Sequence, residues 1–120
     1  MQATDIAVLT TYLIEQNDVK ESENIRQMAE QVIKMVSESV TAFVNRDLEL
    51  ANKVIQDDDI VDDLFGNVKE ELVTFIKNDT IDGKQALDLI MIAKYLEKIG
   101  DHSVNIAKWV IFAVTGSHVE

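Results

Sequence analysis

GKQALDLIMIAKYLEKIGDHSVNIAKWVIFAVT, residues 83–115, contains no proline and places Ala86, Ile90, Ala93, Leu96, Gly100, Val104, Ala107, Ile111 and Val114 at steps of three or four. That spacing is one face of an α-helix. A helix this long cannot cover its apolar stripe by itself, so other helices must pack on it. Upstream, Asn78-Asp79-Thr80-Ile81-Asp82-Gly83 reads as a tight loop, with Asp82 and Gln85 spaced as a capping box. Before that loop, residues 48–77 repeat the pattern through Val54, Val61, Phe65, Val68, Leu72 and Phe75. Two long helices joined by a short turn form an antiparallel hairpin.

Two further segments complete the chain. Residues 23–44 form a helix with the stripe Ile25, Met28, Val32, Val36, Val40, Phe43 and Val44. Ser22 is its N-cap, Glu23 lies in its first turn, and Asn45-Arg46-Asp47 is a short break after it. Residues 3–16 carry Ile6, Leu9, Leu13 and Ile14 at helical spacing, followed by a polar loop at 17–22. The expected fold is all-α: an antiparallel three-helix bundle preceded by an additional N-terminal helix. The whole chain has no proline and only four glycines among 120 residues, as long uninterrupted helices require.

Composition narrows the function. A hydrophobic share of 47% supports a real core and argues against disorder. No cysteine is present, which rules out a disulfide framework and cysteine-type zinc sites. Net charge is −11, with 22 acidic residues against 11 basic ones. Nucleic-acid binding needs a basic footprint, so no nucleic-acid partner is expected. The same charge opposes an electrostatic hold on anionic lipid and suits cations or a basic protein. No apolar run reaches the ~18 residues of a membrane span, and no secretory signal is visible.

The residues that stand against this pattern are acidic. Asp58 and Asp62 are four apart in the helix 48–77, and Glu97 and Asp101 are four apart in the helix 83–115. At 100° per residue, Asp58 lies about 40° and Asp62 about 80° from the stripe centre, whereas Asp59 and Asp63 point to solvent. Glu97 lies within its stripe and Asp101 at its edge. Asp58 and Asp62 precede Thr80 by 22 and 18 residues, and Glu97 and Asp101 follow it by 17 and 21. In an antiparallel hairpin, equal distances from the turn lie side by side. Asp58 therefore meets Asp101, and Asp62 meets Glu97, at one height of the bundle.

Four neighbouring carboxylates raise each other's pKa and call for a cation. Hard cations such as magnesium, manganese or iron take oxygen ligands, and zinc accepts them. Asn105, one turn beyond Asp101, adds an amide oxygen, and Gly100 allows close approach of the neighbouring helix. The expected metal-ligand set is Asp58, Asp62, Glu97, Asp101 and Asn105. The competing reading is a solvated helix edge whose acids pair with Lys53, Lys94 or Lys98.

Other features point away from chemistry. His102 lies about 100° round the helix from Asp101, towards the polar side, and reads as a surface histidine. Trp109 reads as a packing or partner-contact residue, and Met28 and Met35 as core filler. There is no Gly-rich phosphate loop, no Glu-x-x-His pair and no His-Glu-x-x-His motif, so no catalytic residues are expected.

The acidic motifs also carry a resemblance. Leu96-Glu97-Lys98-Ile99-Gly100-Asp101-His102-Ser103-Val104-Asn105-Ile106-Ala107 resembles the signature helix of the PhoU family. Asp58-Asp59-Ile60-Val61-Asp62-Asp63-Leu64-Phe65 is similar to its upstream acidic motif, and Asp47-Leu48-Glu49-Leu50-Ala51 to the start of that helix. Trp109-Val110-Ile111-Phe112-Ala113-Val114-Thr115-Gly116 resembles the family's usual ending. The likeness covers about residues 24 to 117. Lys98 departs from it: the family commonly has arginine there, and lysine keeps the charge but loses the bidentate fork.

PhoU proteins typically hold two tandem three-helix repeats. The resemblance thus implies one repeat at 22–117, a frayed tail at 118–120, and at 1–21 the helix and loop that end a preceding repeat. Gln2-Ala3-Thr4-Asp5-Ile6-Ala7 parallels His102-Ser103-Val104-Asn105-Ile106-Ala107 in support. The implied function is a regulatory, non-enzymatic, metal-binding adaptor that restrains the phosphate-starvation response and modulates phosphate uptake. Its implied partners are a membrane sensor histidine kinase and the phosphate ABC transporter, and its implied location is the cytoplasm, peripheral to the inner face of the membrane. A single repeat can also form a homodimer, even by exchange of its first helix. Two alternatives remain: an accessory domain of a sodium/phosphate cotransporter, and a carboxylate-bridged di-iron oxidase, which normally draws on Glu-x-x-His ligands absent from this chain.

Overall fold

The computed structural model of the chain describes residues 22–79 and 81–116. Three helices account for almost all of them: α1 at Glu23–Asn45, α2 at Leu48–Lys77 and α3 at Gly83–Thr115. The helix expected at 3–16, the centre of the turn at Thr80 and the tail at 117–120 lie outside the described residues.

Each helix starts where a short polar side chain captures an orphan amide. Ser22 Oγ accepts from Ile25 N–H at 3.2 Å, and Asp47 Oδ1 accepts from Leu50 N–H at 3.1 Å. At Asp82 the capping box is complete: Gln85 N–H donates to Asp82 Oδ1 at 2.7 Å, and Asp82 N–H donates to Gln85 Oε1 at 3.1 Å. α1 and α3 end on left-handed backbone at Arg46 (φ 53°) and Gly116 (φ 74°), where glycine alone is free of a Cβ penalty.

The helices run up, down and up. Ser22 and Asn24 at the start of α1 both donate to Glu71 near the end of α2, the second through Nδ2 at 2.7 Å. Lys53 near the start of α2 reaches Glu38 near the end of α1 at 3.0 Å. The core is one continuous seam between them.

One line of that seam follows steps of three and four in strict alternation, with Ala29, Val36, Ile99, Val104 and Ile111 buried beside it. In α1 it runs Ile25, Met28, Val32, Met35, Ser39 and Ala42, all buried. In α3 it runs Ala86, Leu89, Ala93, Leu96, Gly100, Ser103, Ala107 and Val110. This is a 3.5-residue period, in which helices wrap around one another. The 3.6-residue stripe expected from sequence drifts off the seam towards the helix ends. Val40, Phe43, Val44 and Val114 are consequently exposed rather than buried, and the smaller Ser39 and Ala42 take the core positions.

Ser22 is fully buried, caps α1 and donates to Glu71, so it ties α1 to α2 at one end of the bundle. Ser22→Ala is expected to lower stability by about 1–2 kcal/mol, through the lost cap and the stranded carboxylate. A urea midpoint unchanged from the parent would contradict that role.

Candidate metal centre

Asp58 stands on the core seam. The buried positions of α2 are Ala51, Val54, Val61, Phe65, Val68 and Leu72, and the alternating step leaves the place between Val54 and Val61 to Asp58. The carboxylate thus occupies a position where its neighbours are hydrocarbon. Its Oδ1 is sealed from water and has no hydrogen-bond partner. Across from it on α3 is Gly100, where an added Cβ would meet Asp58 Oδ1 at 3.8 Å, Val61 Cγ1 at 3.7 Å and Val32 Cγ2 at 3.8 Å. One layer of the bundle therefore consists of Val32, Asp58 with Val61, and Gly100.

Electrostatics follows from this placement. Burial, then the charges of Asp62 and Asp101, then those of Asp59 and Glu97, push the Asp58 carboxyl up to about 6. Asp62, Asp101 and Glu97 all act on Asp58, and Gly100 lying across from it agrees with the turn count that sets Asp58 beside Asp101. Asp62 and Asp101 are exposed, and Glu97 is half-buried. Glu97 and Asp101 line an open groove with Met91, Lys94, Tyr95 and Lys98. Among the described residues, no three Asp, Glu or His side chains are gathered closely enough to hold a metal ion as they stand.

Asn105 sits apart. It is exposed and lines a different groove, with Val40, Phe43, His102, Ile106 and Trp109. His102 is on the surface, as its wheel position predicts.

The salt-bridge reading fares unevenly. Lys53 pairs with Asp57 at 2.8 Å and Glu38 at 3.0 Å, and these hydrogen bonds hold its ammonium above the usual lysine range. Asp57, which sequence reasoning passed over, is thus the lysine's partner. The i,i+4 spacing of Lys53 and Asp57 was the available signal. Lys94 reaches Glu97 at 3.7 Å while also lying 5.3 Å from the Phe65 ring centre, and Lys69 lies 4.9 Å from that ring. An exposed pair of this kind is worth little. Among the described residues, no lysine or arginine pairs with Asp58, Asp62 or Asp101.

Gly100 is not forced by packing, because its hypothetical Cβ makes only ordinary contacts. Close approach of α2 therefore does not require the glycine. Gly100→Ala is expected to raise stability by about 0.5–1 kcal/mol, the helix-interior difference between the two residues. Thermal melts at pH 5, where Asp58 is largely protonated, check this. A drop of several degrees would mean the layer has no room for the methyl.

The chain matches a family model described as PhoU domain over residues 25–110. A phosphate-specific transport system accessory protein PhoU homolog from Aquifex aeolicus is 37% identical over 97 residues, covering 81% of this chain and 44% of that protein. The crystal structure of PhoU from Pseudomonas aeruginosa superposes with a TM-score of 0.72 at 40% identity, covering 77% of this chain and 44% of that one. The phosphate transport system regulatory protein PhoU from Streptococcus pneumoniae shares the fold, with a TM-score of 0.75 at 22% identity over 82% of this chain and 47% of that one. The chain spans about half the length of the curated relatives it matches.

Proposed function

The chain belongs to the PhoU family, and on that premise we propose that it is a non-enzymatic, metal-binding regulatory domain of phosphate uptake. It acts as an adaptor that restrains the phosphate-starvation response, with a phosphate ABC transporter and a membrane sensor histidine kinase as partners. Its place is the cytoplasm, at the inner face of the membrane. The names of its relatives, accessory proteins of phosphate-specific transport, support the pathway. Among the described residues no helix is long and apolar enough to cross a membrane.

The observation that supports metal binding is the orphaned Asp58 Oδ1 on the core seam. A buried anionic oxygen without a donor is a standing destabilisation, and a cation removes it. The donors are oxygens, which fits iron, manganese, magnesium or zinc. Asp58 would be the buried ligand, with Asp62, Glu97 and Asp101 as the outer ligands and Asn105 the most remote candidate. The cation would neutralise the cluster and fasten α2 to α3.

Metal content of the purified protein, and the shift in melting temperature on adding each cation, test the site. Asp62→Asn and Glu97→Gln are expected to weaken the response. The regulatory role is tested separately, in cells that lack their own PhoU and carry a phosphate-starvation reporter. Repression of that reporter by the protein supports it, and an unrepressed reporter despite normal expression refutes it.

A further inference from the structure

We propose that Lys94 is a tethered counter-ion of the acidic layer: it holds Glu97 until a divalent cation displaces it, and so sets the cation concentration at which the site fills. The inference rests on the metal reading above and adds to it a residue outside the ligand set. Lys94 and Glu97 stand one turn apart on α3, next to Ala93 and Leu96 of the seam. Lys94 Nζ lies 3.7 Å from Glu97 Oε1 and, at the same time, 5.3 Å from the centre of the Phe65 ring. Among the described residues, Lys94 is the only lysine or arginine that pairs with any of the four acids of the layer. Lys98 lines the same groove and pairs with none of them.

Three features suit this pair to exchange. The Lys94 side chain is 66% exposed and that of Glu97 only 25%, so the lysine can swing away while the glutamate stays in the groove. Helices favour glutamate N-terminal to lysine, and here the lysine comes first, so the pair adds little to α3 itself. The Phe65 ring is buried, and its face attracts a cation, which gives the ammonium a second seat when it leaves Glu97. A divalent ion then has two advantages over the lysine. It carries twice the charge, and it can engage Glu97 together with another carboxylate of the layer. An ammonium held at Glu97 opposes that ion directly, because the two compete for one oxygen and repel each other.

Manganese(II) is the probe, because the electron paramagnetic resonance of the free ion fades as it binds and so counts bound metal directly. The 120-residue chain would be titrated as parent, Lys94→Gln, Lys94→Arg and Lys77→Gln. Lys94→Gln should tighten manganese binding by roughly 3- to 10-fold at low salt, through loss of one opposing charge. Lys94→Arg keeps the charge but offers a planar fork that grips both oxygens of Glu97, and it should weaken binding by about two- to fivefold. Lys77→Gln alters net charge by the same amount as Lys94→Gln, but Lys77 is exposed near the turn, 15 residues beyond Asp62. Its affinity should match that of the parent. Metal-free Lys94→Gln should melt within about 2 °C of the parent, since an exposed pair contributes little to stability.

Equal manganese affinity in the parent and Lys94→Gln overturns the inference and leaves the metal reading standing. So does an equal gain in Lys77→Gln, which would assign the effect to net charge. Lys94→Arg binding as tightly as the parent also overturns it, since the grip on Glu97 would then play no part. No manganese bound by either the parent or Lys94→Gln overturns the metal reading, and this inference with it.

Discussion

Asp58→Asn is expected to raise the melting temperature of the metal-free protein at pH 8 and to abolish its response to added cations. The sign follows from linkage. The Asp58 carboxyl titrates at about 6 in the folded chain and near 3.9 when unfolded. The folded state thus binds this proton more tightly, and stability falls as pH rises from about 4 to about 6. Below that window the group is neutral in both states. Above it, the folded chain bears the full penalty of a charged, half-buried carboxylate. One pKa unit is worth about 1.4 kcal/mol, and partial exposure reduces the whole shift to an effect of ~1–2 kcal/mol.

Asparagine keeps the shape and removes the charge. The variant and parent should therefore melt together near pH 4 and separate by pH 8, with the variant higher by about 4–8 °C per kcal/mol. A cation at a hundred times its dissociation constant should stabilise the parent by about 2.7 kcal/mol and the variant not at all. The comparison isolates Asp58, because the substitution removes its charge and leaves the other carboxylates in place. A variant less stable than its parent across the whole pH range would mean that Asp58 holds a structural hydrogen bond. An equal cation response in both would place the metal elsewhere.

Leu96→Ala should be the most damaging single truncation near the acidic layer, costing about 2–5 kcal/mol. Leu96 is fully buried and among the largest such side chains in the chain. Its seam neighbours on α3 are Ala93 and Gly100, so the helix itself has nothing large to move into the space. Domains of this kind have about 5–15 kcal/mol in all, and the loss is a large fraction of that. Urea unfolding followed by helix content checks it: the midpoint should fall while the slope stays constant. Leu87→Ala is the control, since Leu87 is mostly exposed and its truncation should change stability by less than about 0.5 kcal/mol. Similar losses in both variants would mean that α3 does not pack by the seam described.

The helix boundaries were legible because each is set by chemistry within a few residues. Ser22, Asp47 and Asp82 cap the three helices, as their side chains and their positions before apolar runs predict. The level of Asp58 was legible as well: counting from the turn sets it beside Asp101, and the structure puts it across from Gly100, the preceding residue. The family could be read in the same acidic motifs. Side-chain direction was harder to read. A 3.6-residue wheel puts Phe43 on the core stripe and Asp58 about 40° off it, whereas the wrapped bundle exposes the first and buries an oxygen of the second. Asn105 shares the i,i+4 spacing of Asp101, yet it lines a different groove.

Local sequence by itself determined the three capped helices of the described residues and their antiparallel order, because caps, turns and apolar spacing act over a few residues. The tertiary structure alone decided which acid is buried. Burial depends on how three helices wrap, and a drift of a tenth of a residue per turn accumulates over 30 residues into a different face. The packed seam sets Asp58 opposite Gly100 with an unpartnered oxygen, and the drift turns Phe43 outward.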